Sequence, residues 1–285
     1  MSKKHDPTGS YPPLSPELME RVDRAWDALE DGDIDSAGAE AEEMMAETDE
    51  HPEVRFLLGA ALLESGEHRD ALKQLLSCDG IVEDPVVHRF YLASALYENL
   101  RVEEASEMFK RVAKDEDDAG PPWFGLAECY DFLGRYEEAE AAYEEAHRLE
   151  PEDFPLPVRM TRDAFEAVVA EAIENLPEEL RKHLQVEVPV VVEPMPTRET
   201  LMAESEEEDT ISPGVLGLFV GPNLKERSSL DTYLLPPTIF IYQRNLERFC
   251  MTQEELIHEI QLTLHHELGH YLGLEEEELH ERGLD

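Results

Sequence analysis

Ala37, Ala71, Ala105 and Ala139 stand 34 residues apart, and Gly32, Gly66 and Gly134 keep the same interval, with Leu100 where the fourth glycine would fall. Twelve residues before the first three alanines, and fourteen before the last, is another small residue (Ala25, Gly59, Ala93 and Gly125), and four after each come Ala41, Leu75, Phe109 and Tyr143. Small residues let two helices approach closely, and the larger ones fill the gap beside them. A period of this length restricts the first half to a stack of antiparallel helix pairs, each burying its apolar face only against its neighbours.

This pattern resembles that of tetratricopeptide repeats over about residues 17–152. The clearest copy runs from Trp123 to Pro151 and resembles the consensus at Gly125, Tyr130, Gly134, Ala139, Tyr143, Ala146 and Pro151. The first copy, with Ala41 where a large side chain is usual, is degenerate and is expected to act as a cap. The resemblance implies a concave surface that grips a protein or peptide partner. No basic run on one inner face suggests a clamp for an acidic tail. Residues 1–16 read as a disordered polar segment.

After Pro151 the stretch EPEDFPLP breaks the helical pattern with three prolines, as in a linker, and a second domain is expected over 160–285. Its opening predicts a helix capped by Thr161, with Phe165, Val168, Val169, Ala172, Ile173 and Leu176 on one side. VEVPVVVEPMP reads as a strand near an edge. AESEEEDTISPG reads as a solvated charged loop. GVLGLFVG and PTIFIYQ read as paired strands. The expected class is α+β overall: an all-α repeat solenoid, then a small α+β domain.

The last long helix is predicted from Thr252, which forms a capping box with Glu255, to a stop at Gly273. Leu256, Ile260, Leu264, Leu268 and Tyr271 should make its buried stripe. On this helix His266 and His270 are four apart, so both imidazoles share one face at the separation that two ligands of one tetrahedral ion need. Glu267, offset by one residue, is placed beside such an ion, where it can accept a proton from a water activated there. Only 15 residues follow His270, so a third ligand is expected close by. Gly273 lets the chain reverse, and Glu276, ten past His266, is placed to return, with Glu277 and His280 as alternatives. His258 and His265 read as exposed or structural.

HHELGHYLGLEEEEL, the opening helix, GVLGLFVGPNLKERS and PTIFIYQRNLER together resemble the small bacterial zincin-like metallopeptidases, described as minimal matrix-metalloprotease-like domains. That family usually carries aspartate where Glu276 stands. The resemblance implies Zn2+ at His266, His270 and Glu276, with a peptidase-type site. The expectation is a zinc metallopeptidase with Glu267 as general base and the repeats recruiting a protein partner or substrate. A peptide substrate is expected to add as a strand against Thr238–Tyr242, with Tyr242, Arg244 and Tyr271 as candidates to steady the oxyanion. The alternatives are an adaptor with a structural zinc, a scaffold without metal, and a latent enzyme whose acidic loop or C-terminal tail covers the site.

Charge narrows the partners. The chain carries 24 basic against 67 acidic residues, a formal charge of −43, and both halves are acidic: 15 against 40 before Met160, and 9 against 27 from it onward. Nucleic acid and anionic membranes should be repelled. Cys78, Cys129 and Cys250 are far apart and lack CxxC spacing, which fits a reducing cytoplasm better than a disulfide framework. With no apolar leader region at its start, the chain is expected to stay in the cytoplasm.

Overall fold

The computed structural model describes residues 11–116, 118–178, 180–181, 184, 188–205, 210–225, 237–274 and 276–280, without the side chains of Glu276 and Glu277. Two compact units emerge: Met1–Leu149 with Ser205–Ser212, and Glu150–Glu204 with Pro213–Asp285.

The first unit is helical: α1 (Pro16–Glu30), α2 (Ile34–Glu47), α3 (Pro52–Glu64), α4 (His68–Ser77), α5 (Pro85–Glu98), α6 (Val102–Asp115), α7 (Pro121–Phe132) and α8 (Tyr136–Leu149). Proline enters at the first turn of α1, α3, α5 and α7, where its missing N–H leaves no bond unmade. The small residues act as their spacing predicts. A Cβ on Gly59 would lie 2.8 Å from Leu75 Cγ, and one on Gly125 would lie 2.5 Å from Phe109 Cζ. At these two crossings the helices close only because the crossing residue lacks a side chain.

Within pairs the turns need a left-handed residue. Gly32, Gly66 and Gly134 supply it at φ 81°, 86° and 70°, and Leu100 adopts the same conformation at φ 60°. The leucine holds a conformation that costs an L-residue about 1 kcal/mol, and its buried side chain offsets that. Deep in the fourth pair, the Tyr143 hydroxyl donates to Asp131 Oδ2 at 3.0 Å.

The second unit contains α9 (Arg162–Asn175), β1 (Val190–Glu193), α10 (Arg198–Glu204), β2 (Gly217–Val220), β3 (Thr238–Tyr242), α11 (Gln243–Phe249), α12 (Gln253–Leu272) and α13 (Glu276–His280). Thr161 caps α9 through Ala164 N–H, and Phe165, Val169, Ala172 and Leu176 are buried as the pattern predicts. The sheet order is β1-β3-β2, with β1 parallel and β2 antiparallel to β3. The expected pairing of GLFV with TIFIY is present, and VVVE lies at an edge.

One expectation is corrected. Thr238–Tyr242 is the central strand, bonded on both sides, so it offers no edge to a peptide. Nothing within the segment signals this, because its neighbours on each side come from strands distant along the chain. Ile239 and Ile241 of β3 join Phe165 and Val169 of α9 and Leu256, Ile260, Leu264 and Leu268 of α12 in one core.

Beneath α11, Glu247 is 2% exposed and fully engaged: Arg159 Nη1 donates to it at 3.0 Å, Met160 N–H at 3.0 Å and Gln243 Nε2 at 2.7 Å. This buried carboxylate ties the entry of the second unit to α11. Asn245 does the same for the approach to β2, donating to the carbonyls of Pro213 at 2.9 Å and Val215 at 2.7 Å.

Candidate metal centre

The site begins with the ends of α12. Thr252 Oγ1 accepts from Glu255 N–H at 3.1 Å and Glu255 Oε2 accepts from Thr252 N–H at 3.2 Å, so the capping box is complete. At the far end Gly273 takes φ 79°, and the chain turns back as Leu274 N–H bonds to Gly269 O at 3.0 Å. Lys225 Nζ donates to the Gly273 carbonyl and Leu224 N–H to Tyr271 O, placing a cation at the negative end of the helix. Leu256, Ile260, Leu264, Leu268 and Tyr271 are all buried, which fixes the rotation of α12 about its axis.

That rotation decides where the histidines point. His266 and His270 are half-buried, and their Nε2 atoms face each other at 3.0 Å, with ring centroids 4.7 Å apart and planes at 76°. Two nitrogens each about 2.05 Å from a tetrahedral zinc lie about 3.3 Å apart. The imidazoles thus fit two vertices of one ion with a small outward adjustment.

Glu267 is 6% exposed, and its Oε2 accepts from Phe219 N–H at 2.6 Å. Leu216 O accepts from Tyr242 N–H, so alternation along the antiparallel ladder turns the backbone groups of Leu218 and Val220 toward β3 and those of Gly217 and Phe219 toward the outer edge of β2. Glu267 therefore stands at that outer edge. The contact is close enough to demand glycine. A Cβ on Gly217 would sit 2.6 Å from Thr263 Cγ2 and 3.0 Å from Glu267 Cγ. Sequence reasoning missed Gly217; its signal was a glycine inside an apolar strand, which marks a close approach of backbone to another element.

A second missed glycine lies inside the histidine motif. A Cβ on Gly269 would fall 2.3 Å from Leu279 Cδ2, and Leu279 is completely buried. The gap left by Gly269 is thus where α13 docks on α12, bringing back the short helix that carries Glu276. The side chains of Glu276 and of its rival Glu277 lie outside the described residues, while His280 is exposed. Among the described residues no third His, Cys, Asp or Glu joins the two histidines in a metal-holding cluster.

Other candidates separate by burial. Tyr242 and Tyr271 are core residues, Tyr242 stacked on Phe240 at 6.3 Å and Tyr271 tilted against Phe219 at 5.9 Å. Burial, and then the charge of Glu267, push the Tyr242 hydroxyl well above the usual phenol range, so it stays protonated. Arg244 bonds through its backbone N–H to Pro194 O. Burial depresses the His265 imidazole, and His258 is exposed. Residues 206–209 of the charged loop lie outside the described residues.

Residues 185–284 match the family described as zincin-like metallopeptidase, and residues 28–90 and 121–153 match tetratricopeptide repeat families. The solved structures that the chain is similar to include MamA of strain MSR-1, at 22% identity over 47% of this chain and 76% of that one, with a TM-score of 0.39. A portion of MamA from Desulfovibrio magneticus RS-1 matches at 14% identity over 61% and 92%, with a TM-score of 0.42. A thermophilic TPR protein of Thermus thermophilus matches at 20% identity over 59% and 95%, also at 0.42. No curated protein matches the chain. Along the chain, matches to tetratricopeptide repeat families are followed by a match to the zincin-like metallopeptidase family. No described helix is long and apolar enough to cross a membrane.

Proposed function

We propose that the chain is a cytoplasmic zinc metallopeptidase, with a catalytic domain over 160–285 and a repeat domain over 17–152 that recruits a protein partner or substrate. The observation that carries this reading is the convergence of His266 and His270 Nε2 at 3.0 Å, with the buried Glu267 carboxylate between them in sequence and at the outer edge of β2. His266, His270 and Glu276 would hold the ion. A zinc ion there supplies Lewis acidity and brings a water's pKa down toward about 7. Glu267 takes the proton from the attacking water and passes it to the leaving amine nitrogen as the peptide bond breaks.

Glu267 is suited to that task by its placement. Phe219 N–H fixes one of its oxygens, which holds the carboxylate in a single orientation while it takes up and returns the proton. The substrate lies extended along the outer edge of β2, where Gly217 and the carbonyl of Phe219 present backbone groups that Glu267 does not occupy, so the main chain of a peptide is led past the base. Gly217 keeps that edge close to α12. Three buried free thiols, Cys78, Cys129 and Cys250, fit a reducing compartment.

Elemental analysis of the purified chain and of His266→Ala, paired with peptide-library cleavage by the wild type and Glu267→Gln, tests the reading. The expected result is about one zinc per chain, lost in His266→Ala, with the metal retained and cleavage abolished in Glu267→Gln. Equal cleavage by wild type and Glu267→Gln refutes the role of the base. A wild type that keeps zinc and cleaves nothing is an adaptor.

A further inference from the structure

The first, third and fifth helices of the repeat unit line a groove of about 670 Å³. Its floor is aromatic: the Trp26 ring lies 4.9 Å from Phe56 and 5.7 Å from Tyr91, and Phe56 lies 5.8 Å from Tyr91. Its rim is anionic. Asp23, Glu30, Glu53, Glu83 and Asp84 line it, and no described lysine or arginine does.

The acids follow the repeat. Glu30, Glu64 and Glu98 are 34 residues apart, so each ends the first helix of its pair at an equivalent place. Glu64 and Glu98 line a second hollow of about 280 Å³, and Tyr91 borders both hollows, so the two adjoin. The Tyr91 hydroxyl is pushed up to about 12 by burial and then by the charges of Glu64 and Glu30, carboxylates of two successive repeats. Burial, with Glu83 and Asp84 nearby, likewise raises the Glu53 carboxyl. Carboxylates gathered above an apolar aromatic floor repel one another, and a cation brought there gains both Coulomb and ring attraction.

We propose that this groove binds an extended, lysine- or arginine-bearing segment of a protein partner, with apolar side chains on the Trp26–Phe56–Tyr91 floor and cations along Glu30 and Glu64. The proposal rests on the repeats being a recruitment module and names the chemistry of what they recruit. An acidic partner segment is rejected by the same row of charges.

The test uses the full chain and two fluorescein-labelled peptides of equal length, one alternating lysine with leucine and phenylalanine, the other with glutamate in place of lysine. Anisotropy is read at about 0.05 M and about 0.5 M salt, where screening shortens from more than 10 Å or so to a few ångströms. The lysine peptide is expected to bind, to weaken at least about tenfold at high salt, and to weaken about tenfold in Glu30→Gln/Glu64→Gln. The glutamate peptide should show no binding.

Because the whole chain is acidic, the control is Glu137→Gln/Glu144→Gln, which removes the same charge from exposed positions of α8 outside both hollows. It should change binding less than about twofold. No binding of the lysine peptide, binding of both peptides alike, or equal losses in the groove and α8 variants overturns the proposal. Melting curves of the two glutamine pairs establish that both are folded. Zinc content and peptide cleavage are not read in this experiment, so its failure leaves the metal centre standing.

Discussion

The docking of α13 on Gly269 makes a substitution two residues from Glu267 informative without touching a proposed ligand. Gly269→Ala adds a methyl that lies 2.3 Å from Leu279 Cδ2, where carbon atoms prefer about 3.5–4.0 Å. Leu279 must retreat by roughly an ångström or more. Overpacking of this kind costs about 1–3 kcal/mol, comparable with the 1.5–3 kcal/mol or so that burying one leucine contributes. Alanine in place of glycine within α12 meanwhile gains about 1 kcal/mol of helix propensity. The two effects fall on different elements: α12 gains, and the docking of α13 loses. The melting temperature of the chain should therefore change little, whereas α13 comes away from α12.

If α13 carries the third ligand, zinc affinity follows its docking, and a cost of about 1.4–2.8 kcal/mol corresponds to about a 10- to 100-fold loss. A competition titration against a chromophoric chelator measures this, and amide exchange at Leu279 reports the release of the helix directly. Gly269→Ala with faster exchange at Leu279 and unchanged zinc affinity would refute the assignment of a ligand to α13. Unchanged exchange would refute the steric argument itself.

Further perturbations address each unit. His88 is 1% exposed and its Nε2 lies 3.0 Å from Leu75 O. Burial holds its imidazole below 6.5, against the opposing pull of that carbonyl and of Asp79. A depressed folded pKa means that its stabilisation is complete above about 6.5 and is lost as pH falls, because the unfolded chain takes up the proton first. The unfolding free energy of wild type relative to His88→Gln should shrink between pH 7 and pH 5 or so; a constant difference removes His88 as the acid-sensitive group. In the second unit, Glu247→Leu removes the acceptor shared by Arg159, Met160 N–H and Gln243 and should cost about 3–5 kcal/mol in denaturant unfolding. A cost below about 1 kcal/mol would show the buried pair to be dispensable.

What can be read from the sequence is whatever repeats along it. The 34-residue interval gives the helix pairs, and the cap, stripe and glycine of α12 give its ends and its rotation, which together bring His266 and His270 onto one face. Relations across space are illegible there. Gly217 and Gly269 are informative only once Thr263, Glu267 and Leu279 are known to lie against them. Thr238–Tyr242 has the composition of an edge strand and of a central one alike; β1, joining it in parallel, makes it central. The bond from Phe219 to Glu267 spans 48 residues and has no local signature.

That bond has a consequence for how the chain behaves in company. A strand with an open side is a template on which other chains can pair and grow into aggregates, and proteins often blunt such a side with an inward-facing charge. Here the charge is Glu267, which occupies Phe219 N–H, so the group proposed as the base also blunts that side of the strand against pairing at Phe219 by unwanted copies. Loss of the side chain altogether exposes Phe219 to pairing with a neighbouring molecule, whereas glutamine at the same place retains an acceptor for it. Insolubility in an alanine variant and not in a glutamine one would mark the same carboxylate as a guardian of solubility.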